Sequence, residues 1–142
     1  MPSGFGSDFA GVVDEAGDGA TGFAVGDRVY GGALGRAVAD FVVVRPPADS
    51  LWHTPGDISD EVASTLPVAG LTAVAAGPSP PGGVRATGAF NAKPAALERI
   101  TSAILAGRLT VPIAATFPVE KIRDAVALQA GRHVHGKIVV TL

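Results

Sequence analysis

The sequence predicts an α+β protein: a fragment of a β-barrel or sandwich, with short flanking helices. Three observations carry this. Short apolar runs separated by Gly-rich turn signals fill the first half. Near Ser59 the apolar spacing changes from a strand-like to a helix-like period. A final strand-like run closes the chain at residues 137–142.

The elements can be taken in chain order. Residues 9–16 are mostly apolar and small, and they end at Gly17-Asp18-Gly19, a turn signature. Gly26-Asp27 is a second turn, leading into a short strand at residues 28–30 that Gly31-Gly32 should break. Residues 37–44, rich in Val with one Phe, read as the best strand of the chain, stopped by Pro46-Pro47. Ser59 before Asp60 and Glu61 is an N-cap signature with acidic residues in the first turn. The next helix is almost wholly apolar, with Leu66, Ala69, Leu71 and Val74, and Pro67 should kink or divide it.

Residues 77–83, Gly-Pro-Ser-Pro-Pro-Gly-Gly, can be neither helix nor central strand and read as a linker. A short strand at residues 84–90 comes next. A helix over residues 94–106 has Pro94 at its start and Gly107 just past its end. Residues 109–117 read as strand interrupted by Pro112. Pro118 opens a last helix, with Val119, Ile122, Ala125, Val126 and Leu128 on one face and Gly131 closing it.

Composition narrows the function classes. The chain has 142 residues, which suits one domain. It has no cysteine, which removes disulfides, thiolate zinc sites, iron–sulfur clusters and cysteine nucleophiles. A formal net charge of −2 without a Lys/Arg cluster argues against nucleic acid as a partner. No apolar run approaches the roughly 20 residues needed to span a bilayer, and no signal peptide is visible, so a soluble, cytoplasmic protein is expected. The 19 Gly and 11 Pro sit among 47% hydrophobic residues and punctuate a globular chain rather than a disordered one.

Several blocks resemble one family. Gly6-Ser7-Asp8-Phe9-Ala10-Gly11 and the stretch from Gly22 through Gly26-Asp27-Arg28-Val29-Tyr30-Gly31 are similar to the medium-chain dehydrogenase/reductases, in their zinc-independent quinone oxidoreductase-like branch. So are Leu66-Pro67-Val68-Ala69-Gly70-Leu71-Thr72-Ala73 and, near the end, Gly107-Arg108-Leu109, Ala114-Ala115-Thr116-Phe117-Pro118 and Gly136-Lys137-Ile138-Val139. The blocks run in the family's order over most of the chain. The resemblance implies a partial GroES-like barrel, truncated: the family's first strands are not matched, and the Rossmann domain is mostly absent at the site of the 77–83 linker. One truncated domain over residues 1–142 is the expectation.

A literal G-x-G-x-x-G occurs at Gly17-Asp18-Gly19-Ala20-Thr21-Gly22. A pyrophosphate cradle needs a helix to open at its last glycine. Here a turn and a strand come after Gly22 instead, so no cofactor is expected. Where zinc-dependent relatives carry Gly-His-Glu, this chain has Gly6-Ser7-Asp8, and no metal is expected either.

The candidate catalytic residues are Asp8, Tyr30 and His53. Asp8 lies in an apolar setting where a carboxylate is costly unless hydrogen-bonded; it is either an acid/base facing the substrate cleft or a turn residue accepting backbone N–H bonds. Tyr30 resembles a position lining that cleft, where a phenol can stabilise an enolate; core packing suits it equally. His53, beside Trp52, suits acid/base work or an ordinary loop anchored by the indole. Ser7, Trp52 and Thr72 are the candidate substrate contacts, Thr72 because it resembles a residue near the family's nicotinamide.

The leading expectation is a cofactor-independent catalyst of cyclisation, isomerisation or proton transfer on an enone-, quinone- or polyketide-like small molecule. The alternatives are a non-catalytic binding or structural module and an NAD(P)H-dependent oxidoreductase. An incomplete barrel exposes strand edges, which predicts a homodimer with the pocket near its interface.

Overall fold

The computed structural model describes residues 5–45, 50–76 and 95–142. It is an α+β fold with two separate sheets. The elements are β1 (Asp8–Val12), β2 (Arg28–Gly32), β3 (Ser50–His53), α1 (Asp60–Ala63), α2 (Leu66–Ala76), α3 (Ala95–Leu105), β4 (Ile113–Pro118), a 3-10 turn (Val119–Lys121), α4 (Ile122–Ala130) and β5 (Lys137–Thr141). β1, β2 and β3 form an antiparallel sheet in chain order, and β4 pairs with β5. No barrel is closed among the described residues.

The second pair is parallel. Parallel neighbours need a crossover, and α4 supplies it, packing on both strands. Ala125 of α4 and Val139 of β5 are buried in this unit, whereas Val126 and Leu128, expected on the same apolar face, are exposed. α4 therefore buries a narrower stripe than its sequence suggested.

Register decides which side chains share a face. The cross-strand rows are Asp8–Gly32–Ser50, Phe9–Gly31–Leu51, Ala10–Tyr30–Trp52 and Gly11–Val29–His53. Side chains alternate along a strand, so Asp8, Ala10, Tyr30 and Trp52 share one face while Phe9, Val29, Leu51 and His53 share the other. The first face carries the core: Tyr30 packs with Ile58, Ala63, Leu66, Leu71 and Leu97 from the helices, with Trp52 and Ala10 partly buried against them.

The helices end where the sequence says they should. Ser59 caps α1, its hydroxyl accepting from the Val62 N–H at 3.4 Å. Pro67 sits in the first turn of α2, where its missing N–H costs nothing, and the apolar stretch is divided just before it. β4 begins directly after Pro112. Arg28 ties β2 to α1: its guanidinium donates to Asp60 Oδ1 at 2.7 Å and to the Ile58 carbonyl at 2.8 Å.

Three expectations need correction. Residues 37–44 form no strand: among the described residues no segment completes a ladder with them; Val38 N–H donates to the Phe5 carbonyl at 3.0 Å, and Phe41 and Val43 stand 75% and 64% exposed. Gly31 and Gly32 do not break β2 but extend it. Gly31 is needed there: a Cβ would meet the Ser50 carbonyl oxygen and, at 2.9 Å, the Phe9 ring. Trp52 and His53 belong to β3 rather than to a loop. The 77–83 linker and the 84–90 strand lie outside the described residues.

Gly31→Ala should destabilise the fold by about 1–3 kcal/mol, since a backbone carbonyl can move away only by parting β2 from β3. Gly11→Ala, with nothing within 4 Å of the added methyl, should leave stability nearly unchanged. Urea unfolding of the two variants beside the parent checks the contrast.

Candidate functional site

An open cleft of about 1530 Å³ runs between the two sheets. Ser7, Asp8 and Phe9 line it from β1 and the residue before it; Lys137 and Val139 line it from β5, and residues 37–44 form part of its wall. Tyr30, Trp52, His53 and Thr72 are not among its lining residues.

Asp8 is the charged group built most deeply into this wall. Its side chain is 10% exposed; Oδ2 lies 3.5 Å from Lys137 Nζ, and Oδ1 accepts from the Val68 N–H at 3.1 Å. Each partner comes from a different element: α2 offers the amide in its first turn, where N–H groups have no partner within the helix, and β5 offers the ammonium. Burial raises the Asp8 pKa above the ordinary carboxylate range, and the Lys137 charge and the Val68 amide, which act the other way, only partly offset it. Lys137 is held by backbone geometry. Its own N–H donates to the Pro112 carbonyl at 2.8 Å. Gly136 before it has φ +131, with that carbonyl oxygen 2.7 Å from where a Cβ would sit. Only glycine permits so close an approach.

The other candidates are dispersed. Tyr30 is 2% exposed, its ring 5.7 Å from that of Trp52. Burial, and then the charge of Glu98, push its pKa up to about 12, so the phenol stays protonated. Tyr30 and Trp52 share the helix-covered face with Asp8. His53 is on the opposite face, three residue pairs along the sheet and two strands over from Asp8, a separation on the order of 14 Å. Its ring stacks on Phe23 at 4.6 Å, its Nε2–H donates to the Gly22 carbonyl at 2.8 Å, and Nδ1 lies 3.8 Å from Asp27 Oδ2. These contacts pin the β1–β2 loop. Thr72 is half-buried on α2, and the Ser7 carbonyl accepts from Ala33 N–H at 2.7 Å.

Sequence reading found Asp8 and missed its partner. Lys137 reads as a closing-strand residue, and nothing in the spacing places it against a residue near the other end of the chain. The signal was Gly136-Lys137, a glycine where the backbone must pass close to another segment.

With this geometry in place, the chain can be set beside known proteins. The family model for zinc-binding dehydrogenase matches residues 23–140. The chain belongs to that family. No curated protein and no solved structure matches it.

A zinc-binding dehydrogenase is expected to hold zinc and a dinucleotide, and the residues can be tested against both. The chain has no cysteine, and among the described residues no three His, Asp or Glu side chains converge as a metal site. This donor set does not fit zinc. The Gly17–Gly22 stretch leads through the Gly26-Asp27 turn into β2, not into a helix, so it lacks the N-terminal amides that receive a pyrophosphate. No described helix is long and apolar enough to cross a membrane.

The direction of the Asp8 shift fixes a pH dependence. A carboxyl whose pKa is raised on folding contributes stability that is complete below the ordinary carboxylate pKa and is lost as pH rises through the raised value. The stability of the parent relative to Asp8→Asn should therefore fall across the weakly acidic range and level off above it. Urea unfolding from about pH 3.5 to 7 reads this; a difference that grows with pH would mean that Lys137 outweighs burial.

Proposed function

We propose that this member of the zinc-binding dehydrogenase family binds a small carbonyl compound in the cleft between its sheets and moves a proton on it without a cofactor. The substrate class is an enone- or quinone-like molecule of the kind the family's quinone oxidoreductase-like branch suggests, and the reaction is isomerisation or cyclisation through an enolate. One observation carries the reading: a largely buried carboxylate with a raised pKa lies against an ammonium on the cleft wall.

The roles follow from the chemistry. The Asp8 carboxylate removes the proton α to the carbonyl; its raised pKa makes it a stronger base than an exposed aspartate. The electron pair left behind becomes the enolate, whose oxygen the Lys137 ammonium stabilises. Asp8 then returns the proton at a different carbon, which completes an isomerisation with no net gain or loss. Ser7 lines the same wall and positions the ligand. Tyr30 and Trp52 support the sheet face behind Asp8, and Thr72 and His53 act outside the cleft. The exposed apolar residues of the cleft wall favour a second copy of the chain as partner.

Family membership favours a second reading, NAD(P)H-dependent reduction of the same substrate class, in which a bound nicotinamide would supply the hydride.

Incubating the protein with simple enones in D2O and following their α-protons by NMR separates the readings. The proposal expects exchange without any nucleotide, reduced about 100-fold or more in Asp8→Asn and less severely in Lys137→Met. Exchange that is absent, or equal in parent and Asp8→Asn, would contradict it. Substrate-dependent loss of NADPH absorbance would favour the second reading.

A further inference from the structure

Lysine occurs in this chain at positions 93, 121 and 137 only. Among the described residues, Lys121 stands exposed on the 3-10 turn, whereas Lys137 lines the cleft with its side chain 36% exposed. An amine attacks a carbonyl carbon as the free base, so a lysine that serves as a nucleophile needs a neighbour to take its proton. Asp8 is placed for this. Its Oδ1 is occupied by the Val68 N–H at 3.1 Å, and its Oδ2 faces Lys137 Nζ at 3.5 Å. Burial, which raises the Asp8 pKa, lowers the cost of moving a proton onto it. The lysine is anchored as well, its backbone N–H donating to the Pro112 carbonyl at 2.8 Å at the start of β5.

We propose that Lys137 captures small aldehydes covalently as an iminium, with Asp8 carrying a proton in both directions. Aldehydes are the ligand class because their carbonyl carbon is the most open to an amine. The ammonium first gives a proton to the Asp8 carboxylate. The free Nζ then forms a C–N bond to the carbonyl carbon, and the π pair of the C=O moves to oxygen. A second proton passes from nitrogen to that oxygen, which leaves a neutral carbinolamine. The Asp8 carboxyl returns its proton to the carbinolamine hydroxyl; this departs as water while the nitrogen lone pair forms the C=N bond. The products are an iminium on Lys137, a carboxylate on Asp8 and one water. Charge is unchanged, and nothing is oxidised or reduced. The iminium keeps a cation beside the Asp8 carboxylate, so the partnership seen in the free protein also holds the adduct. The capture uses the same two side chains as the proposed enolate chemistry but makes a different bond, and either can operate without the other.

Butanal with sodium cyanoborohydride tests the proposal, since the hydride converts an iminium to a stable secondary amine that peptide mass mapping locates. Butanal is saturated, so conjugate addition plays no part. At neutral pH Lys137 should be labelled at least about tenfold faster than the exposed Lys121. Asp8→Asn, with its fold checked by circular dichroism, should slow labelling of Lys137 about tenfold or more and leave Lys121 unchanged. Equal labelling of the two lysines in the parent, or a Lys137 rate that Asp8→Asn leaves unchanged or raises, would overturn the proposal. If Asp8→Asn does not fold, the comparison of the two lysines in the parent decides alone. Proton exchange on enones without preferential labelling of Lys137 would refute the capture and leave the enolate reading standing; labelling without exchange would do the reverse.

Discussion

The contact between Asp8 and Lys137 joins two parts of the molecule that otherwise have separate reasons to exist. β1 belongs to an antiparallel sheet whose helix-covered face holds the main core, and β5 belongs to a parallel pair with its own crossover helix. Their edges flank the cleft, and a carboxylate from one faces an ammonium from the other at 3.5 Å. A buried carboxylate is expensive unless partners surround it. The Val68 amide and Lys137 are those partners, and burial still holds the carboxyl above its ordinary range. The same arrangement that links the sheets keeps a basic group facing the open cleft.

Much of the architecture is local and was legible in the sequence. Ser59 with its acidic neighbours, Pro67, Pro112 and Gly107 each mark a boundary where the structure has one, because caps and breakers act within a turn of their own position. What failed depended on distant segments. Residues 37–44 have strand composition, yet a strand exists only where another backbone completes its ladder. Gly31-Gly32 looks like a break, yet a neighbouring carbonyl requires glycine inside the strand. The parallel pairing of β4 with β5 left no mark beyond two apolar runs.

The site was legible in one half only. Asp8 stood out as a carboxylate in apolar surroundings, a cue that works from composition alone. Lys137 did not, since its role depends on how the last strand docks. His53 beside Trp52 looked like a functional pair, but alternation along β3 sends the two rings to opposite faces, one into the core and the other onto Phe23 and Gly22. Family membership and donor set also diverge: a chain matching zinc-binding dehydrogenases lacks cysteine, and its described residues gather no metal-binding cluster. The chemistry proposed for the cleft rests on side chains that the fold brings together for other reasons.

The electrostatic setting of Asp8 underlies both the link between the sheets and the chemistry proposed for the cleft, and a 13C NMR titration of its carboxyl carbon reads that setting directly. The midpoint should lie above the ordinary carboxylate range in the parent protein and rise further in Lys137→Met, because removing the ammonium leaves burial less opposed. A midpoint within the ordinary range that Lys137→Met leaves unmoved would show that neither burial nor the lysine acts on this carboxyl, and the reading of the cleft would fail with it.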